Sequence, residues 1–254
     1  MANTSTDQQV TVYPKLAVLR KLEKDTLRRI TEISEFGRLP GLQTAANLAS
    51  TGISDVKGPV DVNLGFTLDI RLRGDRNRQP FPRRLDIGAL IEPSEDGKLV
   101  RNASYSLLIC RYADAEKSPI VRKVHFDYEP VAFRNPAEPK PTVHLQICGK
   151  FSRHHLTAGY KEVRLRGLYP SWEKPRFPLP PTTLALILNW LLLEFQSDPA
   201  SQAILKNPTW RNWVAYVERA VLLPYFEMAT RFLQSAEHMK RRFLQSHLYG
   251  MGMD

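Results

Sequence analysis

Two shortages narrow this chain before anything in it is read positively. Only two cysteines occur in 254 residues, Cys110 and Cys148, too few for a disulfide framework or, by themselves, a zinc site. Both sit in apolar, strand-like runs, so the expectation is two buried thiols in a reducing compartment rather than a cross-link. Long apolar runs are also missing. The longest, Thr182 to Phe195, has 14 residues and is interrupted by Asn189 and Glu194, against the roughly 20 that cross a bilayer. It reads as a buried helix, and no membrane association is expected. The opening segment, Met1 to Lys15, lacks a positively charged start followed by an apolar stretch. That pattern argues against a secretory signal and leads to the expectation of a cytoplasmic protein.

The familiar catalytic devices are absent as well. There is no glycine-rich phosphate-cradling loop, no Gly-x-Ser-x-Gly elbow, no His-Glu-x-x-His helix and no calcium loop. Nucleotide hydrolases, serine hydrolases and zinc peptidases of known form are therefore disfavoured, and no cofactor can be named. Internal repeats and low-complexity tracts are missing too.

What the chain has in excess is positive charge. Lys and Arg outnumber Asp and Glu 36 to 26, a net charge of +10, which favours an anionic partner because a positive field concentrates phosphate-bearing molecules. Between Arg71 and Arg84 six arginines (Arg71, Arg73, Arg76, Arg78, Arg83, Arg84) face one acid, Asp75, in a segment with Gly74, Pro80 and Pro82. This predicts a basic loop. A second concentration runs from Lys150 to Arg176 and includes Arg153, Lys161, Arg164, Arg166 and Lys174, with His154 and His155 beside them. Aromatic residues punctuate both segments (Phe81; Tyr160, Tyr169, Trp172, Phe177). Bases stack on such rings while cations hold phosphates, although Trp172 and Phe177 are equally suited to plugging a core.

Hydropathy patterning predicts three zones. A helix from about Lys15 to Phe36 carries Leu16, Leu19, Leu22, Leu27, Ile30 and Ile33 near helical spacing and is ended by Gly37 and Pro40-Gly41. Leu42 to Gly58, small and polar, reads as a loop with a weak helical turn. Strands follow at Val62 to Leu72, Leu85 to Ile91, Ala103 to Tyr112, Val121 to Tyr128 and Thr142 to Phe151, each alternating apolar and polar residues. Short connections such as Glu92 to Gly97 favour an antiparallel meander. The prolines at 170, 175, 178, 180 and 181 predict an extended strap. Beyond it, Thr182 or Thr183 caps a helix, and a long helix from about Pro208 to Leu248 kinks at Pro224. The expected fold is α+β: an N-terminal helix, an antiparallel sheet of about five strands, and a C-terminal helical region packed on it. Residues 1–180 hold the helix, sheet and basic loops, and residues 181–254 hold the helical region, the two forming one structural unit.

Candidate chemistry lies on the polar face of the last two predicted strands. His125, Asp127 and Glu129 alternate onto one side, and His144, Gln146 and Cys148 share a side of the next strand. If the strands are antiparallel neighbours in suitable register, His125 and Asp127 lie across from His144 and Gln146. Two imidazoles beside a carboxylate suit general acid–base catalysis, including metal-independent RNA cleavage. They also suit metal ligation, although a half-solvated sheet shows the same alternation without any chemistry. Asp69 and Asp86 alternate onto the same face, as candidates to join the cluster or to pair with nearby arginines. Three functions remain open. One is nucleic-acid binding, RNA preferred, through Arg71, Arg73, Arg76, Arg78, Arg83, Arg84, Lys150, Arg153, Arg164 and Arg166. Another is a small nuclease using His125, Asp127 and His144. The third is an interaction subunit that docks another protein, or a second copy, through its C-terminal helix.

Overall fold

The computed structural model describes residues 14–53, 58–71, 79–110, 112–113, 120–129, 142–147 and 172–234. In chain order these form α1 (Leu16–Glu32), a short 3₁₀ turn (Ser34–Arg38), α2 (Leu42–Gly52), β1 (Val60–Ile70), β2 (Phe81–Pro93), β3 (Val100–Cys110), β4 (Ile120–Tyr128), β5 (Val143–Ile147), β6 (Trp172–Pro178), α3 (Leu184–Glu194), α4 (Pro199–Lys206) and α5 (Pro208–Gln234). The strands make one antiparallel sheet in the order β1-β2-β3-β4-β5-β6. The fold is α+β, as the patterning predicts. None of the described helices is long and apolar enough to cross a membrane.

In α1, Leu16, Leu19, Leu22, Leu27 and Ile30 bury one face. Lys15 offers no side-chain cap, so this apolar face, at roughly 1.5–3 kcal/mol per buried aliphatic side chain, is the main source of the helix's stability. The helix ends earlier than predicted. Ile33 turns to extended geometry, and the 3₁₀ turn carries Phe36 edge-on against Trp210, with ring centroids 5.0 Å apart. Gly41 then adopts φ +93°, and a Cβ there would lie 2.9 Å from the Gly65 carbonyl oxygen. Glycine is therefore required where the chain turns against β1.

The segment after Gly41 corrects the loop expectation, because it forms α2. Leu42 and Ala46 reach the core, and the Gln43 side-chain amide donates to the Ile30 and Ile33 carbonyls, at 3.2 and 3.1 Å. Gln43 thus supplies a donor to the Ile30 carbonyl at the end of α1 and a second donor to the Ile33 carbonyl, which also accepts from Phe36 N–H at 3.2 Å. With only two buried apolar residues and several small ones, α2 has a stripe too short to register as a helical period.

The sheet's apolar face carries Val62, Leu64, Phe66 and Leu68 of β1, Leu85, Ile87 and Ala89 of β2, and Ala103, Tyr105 and Leu107 of β3. The β2–β3 turn falls where expected. Gly97 takes φ +69°, the Ser94 hydroxyl donates to Asp96 at 2.6 Å, and Lys98 N–H donates to the same carboxylate oxygen at 3.1 Å. These bonds hold the Asp96 carboxyl below its ordinary range.

The edges of the sheet refine one expectation and correct another. The sheet has six strands, because the proline-rich strap contributes β6 at the far edge, where a missing proline N–H on the outer side interrupts no ladder. β2 also begins at Phe81 rather than Leu85, so Arg83 and Arg84 belong to a strand and not to a loop.

The apolar run predicted as a helix forms α3. The Thr183 hydroxyl caps it by accepting from Leu186 N–H. Asn189, the polar interruption, accepts from the Trp210 indole N–H at 3.1 Å. Asp198 caps α4 by accepting from Ser201 N–H at 2.7 Å, and Asn207 caps α5 by accepting from Thr209 and Trp210 N–H, at 2.9 and 3.1 Å. Pro224 lies inside α5. The Trp213 indole N–H donates to Thr26 at 3.2 Å, tying α5 to α1.

Candidate functional site: a buried histidine and aspartate face

The helices α1 and α3 lie on the sheet's apolar face, where Tyr105 meets Glu23 and Phe126 meets Trp190. The candidate histidines therefore belong to the opposite face. The β4–β5 register pairs His125 with Gln146 and Asp127 with His144. The β3–β4 register sets Ser106 beside His125 and Ser104 beside Asp127. Period-two alternation on three antiparallel strands thus assembles one polar patch from Ser104, Ser106, Lys123, His125, Asp127, His144 and Gln146.

Within the patch, Asp127 is the hub. The Ser104 hydroxyl donates to its Oδ1 at 2.5 Å. His125 Nδ1 stands 3.9 Å from Oδ1, and His144 Nε2 stands 3.8 Å from Oδ2. Each ring faces a different carboxylate oxygen. These separations exceed a direct hydrogen bond, yet they allow strong attraction once a ring is protonated away from water.

The solvated-sheet expectation does not hold for this patch. His144 retains 1% of its accessible surface, Lys123 3% and His125 6%, while the Asp127 side chain keeps 14%. Burying imidazoles and an ammonium is costly unless polar partners accompany them.

Other sequence candidates are distributed differently. Asp86 and Asp69 do not join the patch. Arg84 grips Asp86 through Nε and a terminal nitrogen, at 3.2 and 3.0 Å, and Leu108 stands between Asp86 and Lys123 in the strand pairing. Asp69 is exposed near the end of β1, opposite Pro82. The metal alternative fares no better, since among the described residues no group of three or more His, Cys, Asp or Glu side chains is arranged to hold a metal ion.

Of the candidate phosphate-binding residues, Arg71 is exposed just beyond β1. Arg83 is 1% exposed, with its guanidinium carbon 4.1 Å from the Phe81 ring centroid, so it lies in the interior and not on a basic surface. Arg84 crosses over Gly65, whose added Cβ would sit only 2.9 Å from the guanidinium carbon. Arg73, Arg76, Arg78, Lys150, Arg153, Arg164 and Arg166, with His154 and His155, lie outside the described residues. Cys110 is buried in β3, and Cys148 also lies outside them.

Sequence reasoning missed one charged residue altogether. Glu23 is fully buried on α1, accepting from the Tyr105 hydroxyl at 2.6 Å and from Leu184 N–H at 3.2 Å. It joins α1, β3 and the start of α3. Burial pushes its carboxyl up to about 7, against the lowering effect of those two hydrogen bonds. The signal was in the sequence: Glu23 stands on the stripe Leu16, Leu19, Glu23, Thr26, Ile30, an acid where the spacing demands a core residue.

Comparison with known protein families, curated proteins and solved structures finds no match. The functional reading therefore rests on the site.

Proposed function

We propose that this chain is a nucleic-acid-binding protein, RNA preferred, whose buried His125, Asp127 and His144 form an acid–base centre for metal-independent phosphodiester cleavage. The supporting observation is the register that sets Asp127 between the two imidazoles, each facing its own carboxylate oxygen. In such a reaction one neutral imidazole removes the proton of an RNA 2′-hydroxyl and a bond forms from that oxygen to phosphorus. The bond from phosphorus to the 5′-oxygen breaks, and the second imidazole, entering as imidazolium, gives its proton to the departing oxygen. The products are a 2′,3′-cyclic phosphate and a 5′-hydroxyl. Asp127 orients the rings and stabilises the charged one. Lys123 lies two residues from His125 on the same side of β4, roughly 7 Å along the strand, and supplies positive charge near the reacting phosphate. The net charge of +10 would draw the substrate in, and the cytoplasm is the compartment this reading assigns.

The test is cleavage of a labelled single-stranded RNA in excess EDTA. His125→Ala and His144→Ala should each lose about 10²- to 10⁴-fold, with Asp127→Asn losing less. Undiminished cleavage by both alanine variants would discard the catalytic assignment.

A second reading, a subunit that docks a protein partner or another copy of itself, draws on the apolar exposure of the C-terminal helices. Tyr216, Leu223 and Phe226 on α5, with Trp190 and Leu193 on α3, are large apolar side chains left exposed. Sedimentation velocity of the wild type and of Leu223→Arg/Phe226→Arg tests it. A concentration-dependent dimer abolished by the double variant would support self-association, and a monomer at all concentrations would remove it.

A further inference from the structure

A groove of about 480 Å³ runs between α1 and α5, on the other side of the sheet from the histidines, and Lys21, Asp25, Arg29, Asn212, Trp213 and Tyr216 line it. That volume falls in the range of about 300–1,000 Å³ typical of small-ligand clefts. We propose that this groove holds one nucleotide of a single-stranded RNA, with its base stacked on Tyr216 and its phosphate between Lys21 and Arg29. The inference rests on the nucleic-acid reading and adds a binding subsite separate from the chemistry.

The lining of the groove supports this ligand. Trp213 and Tyr216 are stacked at 5.4 Å with planes 25° apart. The Trp213 bond to Thr26 fixes the inner ring, while Tyr216 is 52% exposed and offers a flat surface to a further ring. Arg29 holds its guanidinium carbon 5.9 Å from the Trp213 centroid, and its Nη1 stands 3.6 Å from Glu32 Oε2, a loose, part-exposed pair that leaves the guanidinium able to meet a phosphate as well.

Lys21 is largely exposed and bound to Asp25 at 3.1 Å, a pair worth little in water that a phosphate can displace. Asp25 also meets Arg28 at 3.1 Å, so its charge stays compensated when Lys21 turns away. Asn212 adds an amide, a donor and acceptor matched to a base edge. A purely apolar ligand would leave Lys21, Arg29 and Asn212 without a role.

The experiment is anisotropy of a fluorescein-labelled oligoadenylate with the full-length protein at low salt. Tyr216→Ala should weaken binding about 5- to 100-fold, in line with one lost stacking contact, while Tyr216→Phe keeps it. Lys21→Glu should weaken binding and flatten its salt dependence, and Asn63→Ala, exposed on β1 and outside both sites, should bind within about twofold of wild type. Because Tyr216 is half exposed, its alanine variant is expected to keep the wild-type circular dichroism and melting point. If the wild type binds and Tyr216→Ala binds equally well, the groove is wrong and the nucleic-acid reading stands. If the wild type fails to bind at low salt, that reading falls and the groove assignment falls with it.

Discussion

The polar side of this sheet has two halves with the same alternation and opposite fates. On β1 the outward residues Asp61, Asn63 and Asp69 are exposed. On β3, β4 and β5 their counterparts Ser106, Lys123, His125 and His144 are buried. The pairing puts Asn63, Gly88, Ser106, His125 and Gln146 in one row across the sheet, so a single line of residues runs from water through buried Ser106 and His125 to half-buried Gln146. Period two assigns a residue to a face and says nothing about whether that face is covered. Acids and amides on the open half need only water, whereas the buried half gathers Ser104 and the two imidazoles about the Asp127 carboxylate.

The comparison is broken most forcefully through activity. Substitution of His125 or His144 should remove about 10²- to 10⁴-fold of RNA cleavage, whereas Asn63→Ala and Asp61→Ala on the open half should leave the rate within about twofold, measured on the same substrate. Equal losses on both halves would mean that the patch has no special role.

Stability gives the next contrast. Ser106→Glu forces an additional charge into the closed half and should cost about 3 kcal/mol or more in urea unfolding. Asn63→Glu, in the same row but exposed, should stay within about 0.5 kcal/mol.

The apolar side of the sheet supplies a third test, through Glu23. Its folded pKa of about 7 lies above the ordinary 4.5. Between those values the folded chain therefore holds a proton that the unfolded chain releases. This contribution to stability is fully present below about pH 4.5, falls as pH rises, and is lost as pH passes the folded value near 7. The swing is about 3 kcal/mol. Glu23→Gln should flatten that part of the stability profile, and a wild-type profile that instead rises through this window by the same amount in comparison with the variant would contradict the assignment. Glu23→Ala, which leaves the Tyr105 hydroxyl and Leu184 N–H without their acceptor, should cost about 2–4 kcal/mol at pH 5.

The smallest effect expected is at Gly88. An added Cβ would lie 2.7 Å from the Ser106 hydroxyl oxygen, so Gly88→Ala should cost about 1–2 kcal/mol, and Gly88→Ala/Ser106→Ala should recover part of it.

These contrasts also show which parts of the molecule the residue pattern could reveal. Alternation identified His125, Asp127 and His144 as sharing a face, and short turns favoured neighbouring antiparallel strands. Register came from the folded sheet, because a slip of one residue keeps the alternation legible and changes every cross-strand pair. Burial was hidden for the same reason. Arg83 was misread because Pro80 and Pro82 resemble loop punctuation, although β2 begins between them and carries the guanidinium inward over Phe81. β6 was concealed by prolines that an edge strand tolerates. α2 was concealed by small residues that let it approach β1 without an apolar stripe. Glu23 was legible as an acid at a core position and was overlooked among the charged residues beside it.

The most direct test of the central claim is the fate of an RNA strand carrying a single 2′-deoxy linkage, incubated with the protein in excess EDTA. An acid–base centre that recruits the neighbouring 2′-hydroxyl should cut at ribose linkages, leave 2′,3′-cyclic phosphate ends and spare the deoxy position. Cleavage at the deoxy linkage as fast as elsewhere, or no cleavage of the all-ribose strand by the wild type, would contradict it.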